Sequence, residues 1–309
     1  MKKKVMILGG YGFLGQNLNK VFKSSNYLIF NESRRSGCNI LCLDDLVSKL
    51  ELINPDFIIN ASAHVGGLPY VQKYPADICH DNAQIYLNIY KAVNIVKPQI
   101  IVINPLANCS YPGKVGLQQE NLWWEGETHS SVEAYGITKK MGYVLSKCYQ
   151  KQHGIKTVNL IMPNAYGPLD YTDEEKTHAM NGIIMRMIKA VRTGETDFLV
   201  WGSGRPVREW IYIEDAARIM KEIIDRNLFD LPNPLNLGQE FGLSINDSVN
   251  EITKILNAKI NIVNDEKMLD GAPIKILGKS KFRKYFPDFE FTGYKEGIKN
   301  TIDYYKKII

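Results

Sequence analysis

The sequence predicts an α/β fold, a doubly wound and mainly parallel sheet with helices on both faces and a smaller, interleaved C-terminal domain. Three features predict it. Short apolar runs alternate with helix-patterned segments through the first half, a glycine-rich turn joins the first run to the first helical segment, and the connections lengthen after about residue 165.

The chain opens KKKVMILGGYGFLGQNLNKVF, in which VMIL is a short buried-strand run that glycines interrupt. Beyond the turn, Phe13, Leu14, Leu18 and Val21 or Phe22 share one helical face. Gly9, Gly12 and Gly15 stand in GxxGxxG spacing between strand and helix. They permit the tight turn, let backbone N–H groups approach a pyrophosphate at the helix start, and let the helix pack on the strand. This is the pattern of a Rossmann-type dinucleotide site, with Phe13 and Leu14 among the candidate cofactor contacts. YLIF (27–30), DFIINAS (56–62) and QIIVIN (99–104) supply further strands, separated by the helical LDDLVSKLELI and AQIYLNIYKAVNIV. Such alternation implies right-handed βαβ units with the ligand along the carboxyl ends of the strands.

The second strand is expected to end near Asn31 or Glu32, where a cofactor's ribose is read. An acid there favours NAD(H), whereas arginines accommodate the 2′-phosphate of NADP(H). NESRR offers both, Glu32 ahead of Arg34 and Arg35. Two arginines can clamp a phosphate bidentately, which favours NADP(H), with NAD(H) as the alternative.

Composition excludes other classes. The 309 residues are 45% apolar and 23% charged with a net charge of +5, an ordinary soluble globular balance. The basic residues are scattered or sit at the chain ends, which points away from nucleic acid and leaves room for an anionic ligand. No run approaches the about 18 apolar residues of a membrane helix, and VMIL is too short for a signal-peptide core, so a cytoplasmic location is expected. Cys38, Cys42, Cys79, Cys109 and Cys148 include no CxxC pair, so reduced thiols and no metal site are expected.

EAYGITKKMGYVLSK carries Tyr135 and Lys139 in YxxxK spacing on a helical pattern, which places both on one helix face. A lysine there can lower the phenol's pKa, and the phenol can hand its proton to a carbonyl oxygen. At this point the sequence resembles the extended short-chain dehydrogenase/reductases that act on nucleotide sugars, and within them the GDP-L-fucose synthases. The resemblance is carried by HVGGLPYVQKYPADICHDN (64–82), CSYP (109–112), MPNAYGPLD (162–170), His178 followed by Arg186, VWGSGRPVREW (200–210) and DGAPIK (270–275), and it spans essentially the whole chain.

The resemblance implies an NADPH-dependent C4-keto reductase of a GDP-4-keto-sugar, with or without C3/C5 epimerisation, in activated-sugar biosynthesis of the kind that feeds capsule or surface polysaccharide. It implies Tyr135 as proton donor to the C4 oxygen and Lys139 as its partner, which also binds the nicotinamide ribose. Cys109 and His178 match the family's base and acid for epimerisation, against the plainer readings of a small buried hydrophobe and of a histidine that only binds. Cofactor contacts are implied at Ala61, Ala63, Pro163, Asn164, Ala165 and His178, and substrate contacts at Asn164, Arg186, Trp201, Arg208 and Asp270. The plainer alternatives are an ordinary core position for Trp201 and an ion pair with Glu209 for Arg208.

The sequence departs from the family where it places a carbonyl-polarising serine, which here is Ala107. Asn108, or a reoriented Ser110, is the expected substitute donor; otherwise Tyr135 works alone. A family lysine becomes His64, and another becomes Met268 with Lys267 beside it. These changes suit a different sugar, and a heptose would keep the nucleotide grip while altering residues around the sugar. An epimerase/dehydratase with tightly bound NAD and a non-catalytic NADP(H) binder are the competing readings. THAMNGIIMRMIKAVRTG should be a helix with Ile184, Ile188 and Val191 inward, and a further helix should begin at Ser244, Asn246 or Asp247. Domains are expected at 1–165 with about 211–235, and at about 166–210 with 236–309. The family also implies a homodimer through the Tyr135 helix and its predecessor.

Overall fold

A computed structural model describes residues 2–309 apart from Ser24 and Leu269, and shows the apolar runs as strands. The first half comprises β1 (Lys4–Leu8), α1 (Phe13–Phe22), β2 (Leu28–Glu32), α2 (Leu43–Ile53), β3 (Phe57–Asn60), α3 (Leu68–Lys73), α4 (Pro75–Val96), β4 (Ile101–Ala107), β5 (Leu117–Gln118) and α5 (Glu133–His153). It continues with β6 (Thr157–Met162), β7 (Asn164–Tyr166), α6 (Ala179–Thr193), β8 (Asp197–Trp201), β9 (Val207–Arg208), β10 (Trp210–Tyr212) and α7 (Ile213–Asp225). The remainder is β11 (Leu235–Asn236), β12 (Leu243–Ser244), α8 (Ile245–Leu256), β13 (Asn261–Asp265), β14 (Ile274–Leu277), α9 (Ser280–Tyr285) and α10 (Tyr294–Tyr305).

The central sheet runs β11-β6-β4-β3-β1-β2, and every pairing in it is parallel. Parallel strands covered on both faces bury alternate residues in two different cores. Val5 and Ile7 of β1 join the core beneath α1 and α7, while Met6 and Leu8 join the one beneath α2 and α4. The chain leaves β1 for the edge at β2 and returns across β1 to β3, so the crevice opens at the carboxyl ends of β1 and β3.

A third core forms beside the sheet, where Ile184 and Ile188 of α6 meet Phe198, Val200, Val249, Ile252 and Ile302. Val191 is exposed rather than inward, because α6 ends two residues later and its last turn projects past this core. Ser244 caps α8 through a reciprocal pair with Asp247, which fixes that helix start. Phe282, Phe286 and Phe289, which sequence reading drew with the smaller unit, pack instead into the core under α1 and α7. Among the described residues no helix is long and apolar enough to cross a membrane.

Gly15 marks the tightest point of this scaffold: a Cβ there would collide with the Gly9 carbonyl and stand 2.6 Å from Gly10 Cα. Both neighbours are backbone and cannot swing away. Gly15→Ala is expected to cost about 1–3 kcal/mol of stability, read as a lower urea midpoint, and to weaken dinucleotide binding by displacing the start of α1.

Candidate active site

The turn between β1 and α1 is built for close backbone approach. Gly9 has φ +78°, and a Cβ on it would lie 2.7 Å from the Ala61 carbonyl oxygen at the end of β3. Gly12 occupies the cap of α1 with no side chain over the helix end and no acid in its first turn. The first amides of α1, those of Phe13 and Leu14 included, therefore face the crevice with positive partial charge, which fits a pyrophosphate. Ala61 and Ala63 follow the end of β3, and Pro163, Asn164 and Ala165 lie at the β6–β7 junction. Asn164 donates its backbone and side-chain N–H groups to the Glu209 carbonyl, which leaves its side-chain oxygen for other partners.

At the tip of β2 the two cofactor signals separate. Glu32 is buried, and its carboxylate accepts from Ser36 Oγ at 2.7 Å and pairs with Lys49 at 3.4 Å. It is engaged inside the fold, whereas Arg34 and Arg35 are exposed and, among the described residues, unpaired with any acid. Asn31 packs against Gly10, whose missing Cβ makes the room.

Tyr135 and Lys139 lie one turn apart on α5, and Lys139 Nζ sits 4.9 Å from the Tyr135 ring centroid. Burial dominates both groups. It brings Lys139 down to about 8, with Cys109 pulling slightly upward, and it pushes the Tyr135 phenol well above its ordinary value, with Cys109 adding to the rise. The expected lowering of the phenol by Lys139 is not what the structure shows, because the desolvated site resists phenolate more than the lysine favours it. Tyr135 is thus held as a protonated donor.

The segment in place of the family serine has a clear geometry. Ala107 ends β4, and Asn108, Cys109 and Ser110 form one 3-10 turn, all three buried. Ser110 Oγ donates to the Ala107 carbonyl at 2.6 Å and accepts from Trp123 Nε1 at 2.8 Å, so it is not a free substitute. Asn108 Nδ2, in contrast, is buried without a partner. An orphan donor of this kind is costly, and such groups concentrate where a ligand completes them. Burial raises the Cys109 thiol, against the lowering influence of Lys275 and Lys139.

His178 caps α6 and lies over the start of α1, with its ring centroid 4.9 Å from that of Phe13. Its Nδ1 is 3.0 Å from Asp170 Oδ2, a carboxylate that also accepts from His178 N, Thr177 Oγ1 and Asn181 Nδ2. Burial works to raise the Asp170 carboxyl, but His178 and these hydrogen bonds hold it below its ordinary value. An ionised Asp170 fixes the proton on Nδ1, leaving Nε2 turned outward for proton exchange.

On the substrate side, the Arg186 guanidinium stacks at 4.5 Å over Trp201, which is 45% exposed and so no core residue. Arg208 makes no ion pair with Glu209. Burial lowers its pKa to about 10, with Asp270 raising it. Glu209 points the other way, into the fold, and accepts from the amides of Gln239 and Leu277; burial brings it up to about 7. Both oxygens of Asp270 are taken by Ser203, through N at 3.0 Å and Oγ at 2.6 Å, so Asp270 braces the loop. Lys275 was not singled out from the sequence. It is 8% exposed on β14, beside Cys109 and Arg208, and its signal was phase: it alternates with exposed Ile274 and shares the buried face of Leu277.

A parallel dinucleotide fold with a tyrosine–lysine pair at the carboxyl ends of its strands defines an oxidoreductase of the short-chain dehydrogenase/reductase type. The chain belongs to the NAD dependent epimerase/dehydratase family, whose model matches residues 5–238. It is 28% identical to the GDP-L-fucose synthase of Dictyostelium discoideum over 98% of this chain and 95% of that protein. The crystal structure of a GDP-L-fucose synthetase from Naegleria fowleri superposes with a TM-score of 0.87 at 25% identity, covering 99% of this chain and 94% of that one. A GDP-6-OMe-4-keto-L-xylo-heptose reductase from C. jejuni shares the fold with a TM-score of 0.89 at 16% identity, over 99% and 98% of the two chains.

Because the thiolate is the reactive form, iodoacetamide at neutral pH is expected to label exposed Cys148 at least about tenfold faster than buried Cys109. Peptide mass spectrometry of timed samples measures the ratio.

Proposed function

We propose that this chain is an NADPH-dependent C4-keto reductase of a GDP-4-keto-sugar, a 6-deoxyhexose or a heptose. The observation that carries the reading is the Tyr135–Lys139 pair one turn apart on α5, together with the buried, unpartnered Asn108 amide directly after β4. The names of the curated relatives support a GDP-sugar substrate. Arg34 and Arg35, beside a Glu32 already engaged, support NADP(H) over NAD(H).

When bound, NADPH supplies a hydride to C4. Tyr135 delivers its phenolic proton to the C4 oxygen as negative charge develops there, and Asn108 Nδ2–H stands in for the donor that Ala107 lacks. The Lys139 ammonium offsets charge left on the phenol. Arg186, Trp201, Arg208 and Lys275 hold the sugar nucleotide, the guanidinium groups gripping its diphosphate. Epimerisation at C3 and C5 is a second activity of the same site, with Cys109 and His178 exchanging protons on opposite sides of the sugar. The His178–Asp170 pair favours it, and the raised Cys109 thiol weighs against it.

The chain is further inferred to act as a homodimer in the cytoplasm, with a cofactor domain at about 1–165 and 211–235, to which Phe282, Phe286 and Phe289 also pack, and a substrate domain in the remainder. Leu87 and Ile95 on α4 and Ile137 and Val144 on α5 are exposed apolar residues that a second copy can cover. A monomeric mass in light scattering would exclude the dimer.

Purified protein given NADPH and GDP-4-keto-6-deoxymannose, or a GDP-4-keto-heptose, in D2O tests the rest. Loss of NADPH absorbance with one of them supports the reductase; deuterium at C3 or C5 adds epimerisation; no oxidation with either refutes the substrate class. Asn108→Ala is expected to lower kcat about a hundredfold, whereas Ser110→Ala, which loses only the Ala107 and Trp123 contacts, should stay within a few-fold of wild type.

A further inference from the structure

Lys139 presents a problem of burial. Its side chain is 3% exposed, and among the described residues it has no carboxylate partner. A buried ammonium without a counter-ion needs an acceptor. The acceptor is Tyr86 of α4, whose Oη receives a hydrogen bond from Lys139 Nζ at 3.2 Å. The nitrogen also lies 4.9 Å from the Tyr135 ring centroid, so the cation sits between the Tyr86 hydroxyl and the Tyr135 ring.

The arrangement is built from both helices. Tyr86 is 1% exposed and enters a slot that exists because residue 142 is glycine: a Cβ on Gly142 would lie 2.6 Å from Tyr86 Cζ. Gly142 stands three residues beyond Lys139, on the same stripe of α5. One helix face thus provides the ammonium and the space for the group that fixes it. The groups facing this pair are Tyr135 from α5, Tyr90 from α4 and Cys109 from the turn after β4, none of them an acid. Burial holds the Tyr86 phenol well above its ordinary value, so it stays neutral and keeps a lone pair for the lysine.

We propose that Tyr86 is a positioning residue for the reductive step: it accepts from Lys139, holds the ammonium beside the Tyr135 ring and stabilises its charged form. The proposal rests on the reductase reading for its effect on turnover, but the contact itself can be tested without substrate.

Tyr86→Phe keeps the ring and removes only the acceptor oxygen. In protein labelled with 13Cε-lysine, with the Lys139 signal assigned through Lys139→Arg, the variant is expected to titrate about one pH unit lower than wild type. Its kcat for NADPH oxidation by the keto-sugar should fall about tenfold with KM within twofold, and the alkaline limb of the profile should move down in pH. Tyr90→Phe is the control. It loses a buried phenol bonded to Asn104 and Thr157 rather than to Lys139, so it should lower thermal stability without moving the Lys139 titration. An unchanged Lys139 titration in Tyr86→Phe, or an equal shift in Tyr90→Phe, overturns the proposal. If wild type turns over neither sugar, the substrate reading fails, and the titration still decides the role of Tyr86.

Discussion

The whole arrangement depends on how closely two backbones meet at the carboxyl ends of β1 and β3. Gly9 lies against the Ala61 carbonyl, and Gly15 brings α1 onto the same turn. Neither contact tolerates a side-chain carbon. From it follow the direction of α1, the open amides at its start, and the position of His178, whose ring packs on Phe13 at the head of that helix. A shift of the turn would therefore displace the cofactor cradle and one candidate acid–base residue together. Asn17 and Gln16 of α1 tie the helix further to the carbonyls of Pro168 and Leu169, next to Asp170.

Charge around the crevice is sorted by sign. Three acids are turned into the fold, Glu32 to Ser36 and Lys49, Asp170 to His178 and Asn181, and Glu209 to the amides of Gln239 and Leu277, and exposed Asp270 is taken up by Ser203. Among the cations, Arg34 and Arg35 are exposed just past β2, while Lys139 and Lys275 are buried close to Cys109, with Arg208 beside Lys275. In a partly desolvated cleft, clustered cations concentrate positive potential. The modest net charge of the chain, +5, conceals this local excess.

Period and punctuation made the fold legible: VMIL and DFIINAS read as strands, the latter two residues longer than the observed Phe57–Asn60 at its C-terminal end, LDDLVSKLELI as a helix over its observed range, and Ser244 as one of three candidate helix starts. Tyr135, Lys139 and the glycines are marked as candidates by spacing, and Asn108 by the departure from the family pattern at Ala107. Two kinds of information were not legible. Side-chain direction separates Glu32, buried, from Arg34, exposed, though all lie in NESRR. Partnership across distant segments decides the rest: Ser110 is consumed by Trp123, Asp270 by Ser203, and Tyr86 meets Lys139 from another helix. Only the packed chain shows whether a candidate donor is still free to donate.

That distinction bears on the missing serine. A hydroxyl at residue 107 would have provided one donor; alanine removes it, and the next two polar side chains divide the consequences. Ser110 is saturated, so recruiting it would require breaking its bonds to both the Ala107 carbonyl and Trp123. Asn108 already bears the penalty of a buried, unmet N–H. A carbonyl oxygen that meets this amide relieves the penalty and receives a hydrogen bond in one event, and the gain grows as the oxygen becomes more negative. The Tyr135 phenol, its pKa raised by burial, is likewise a donor in its protonated form. Two donors to one oxygen stabilise charge arriving on it, which is the direction of the proposed reduction; the reverse direction would need an ionised phenol.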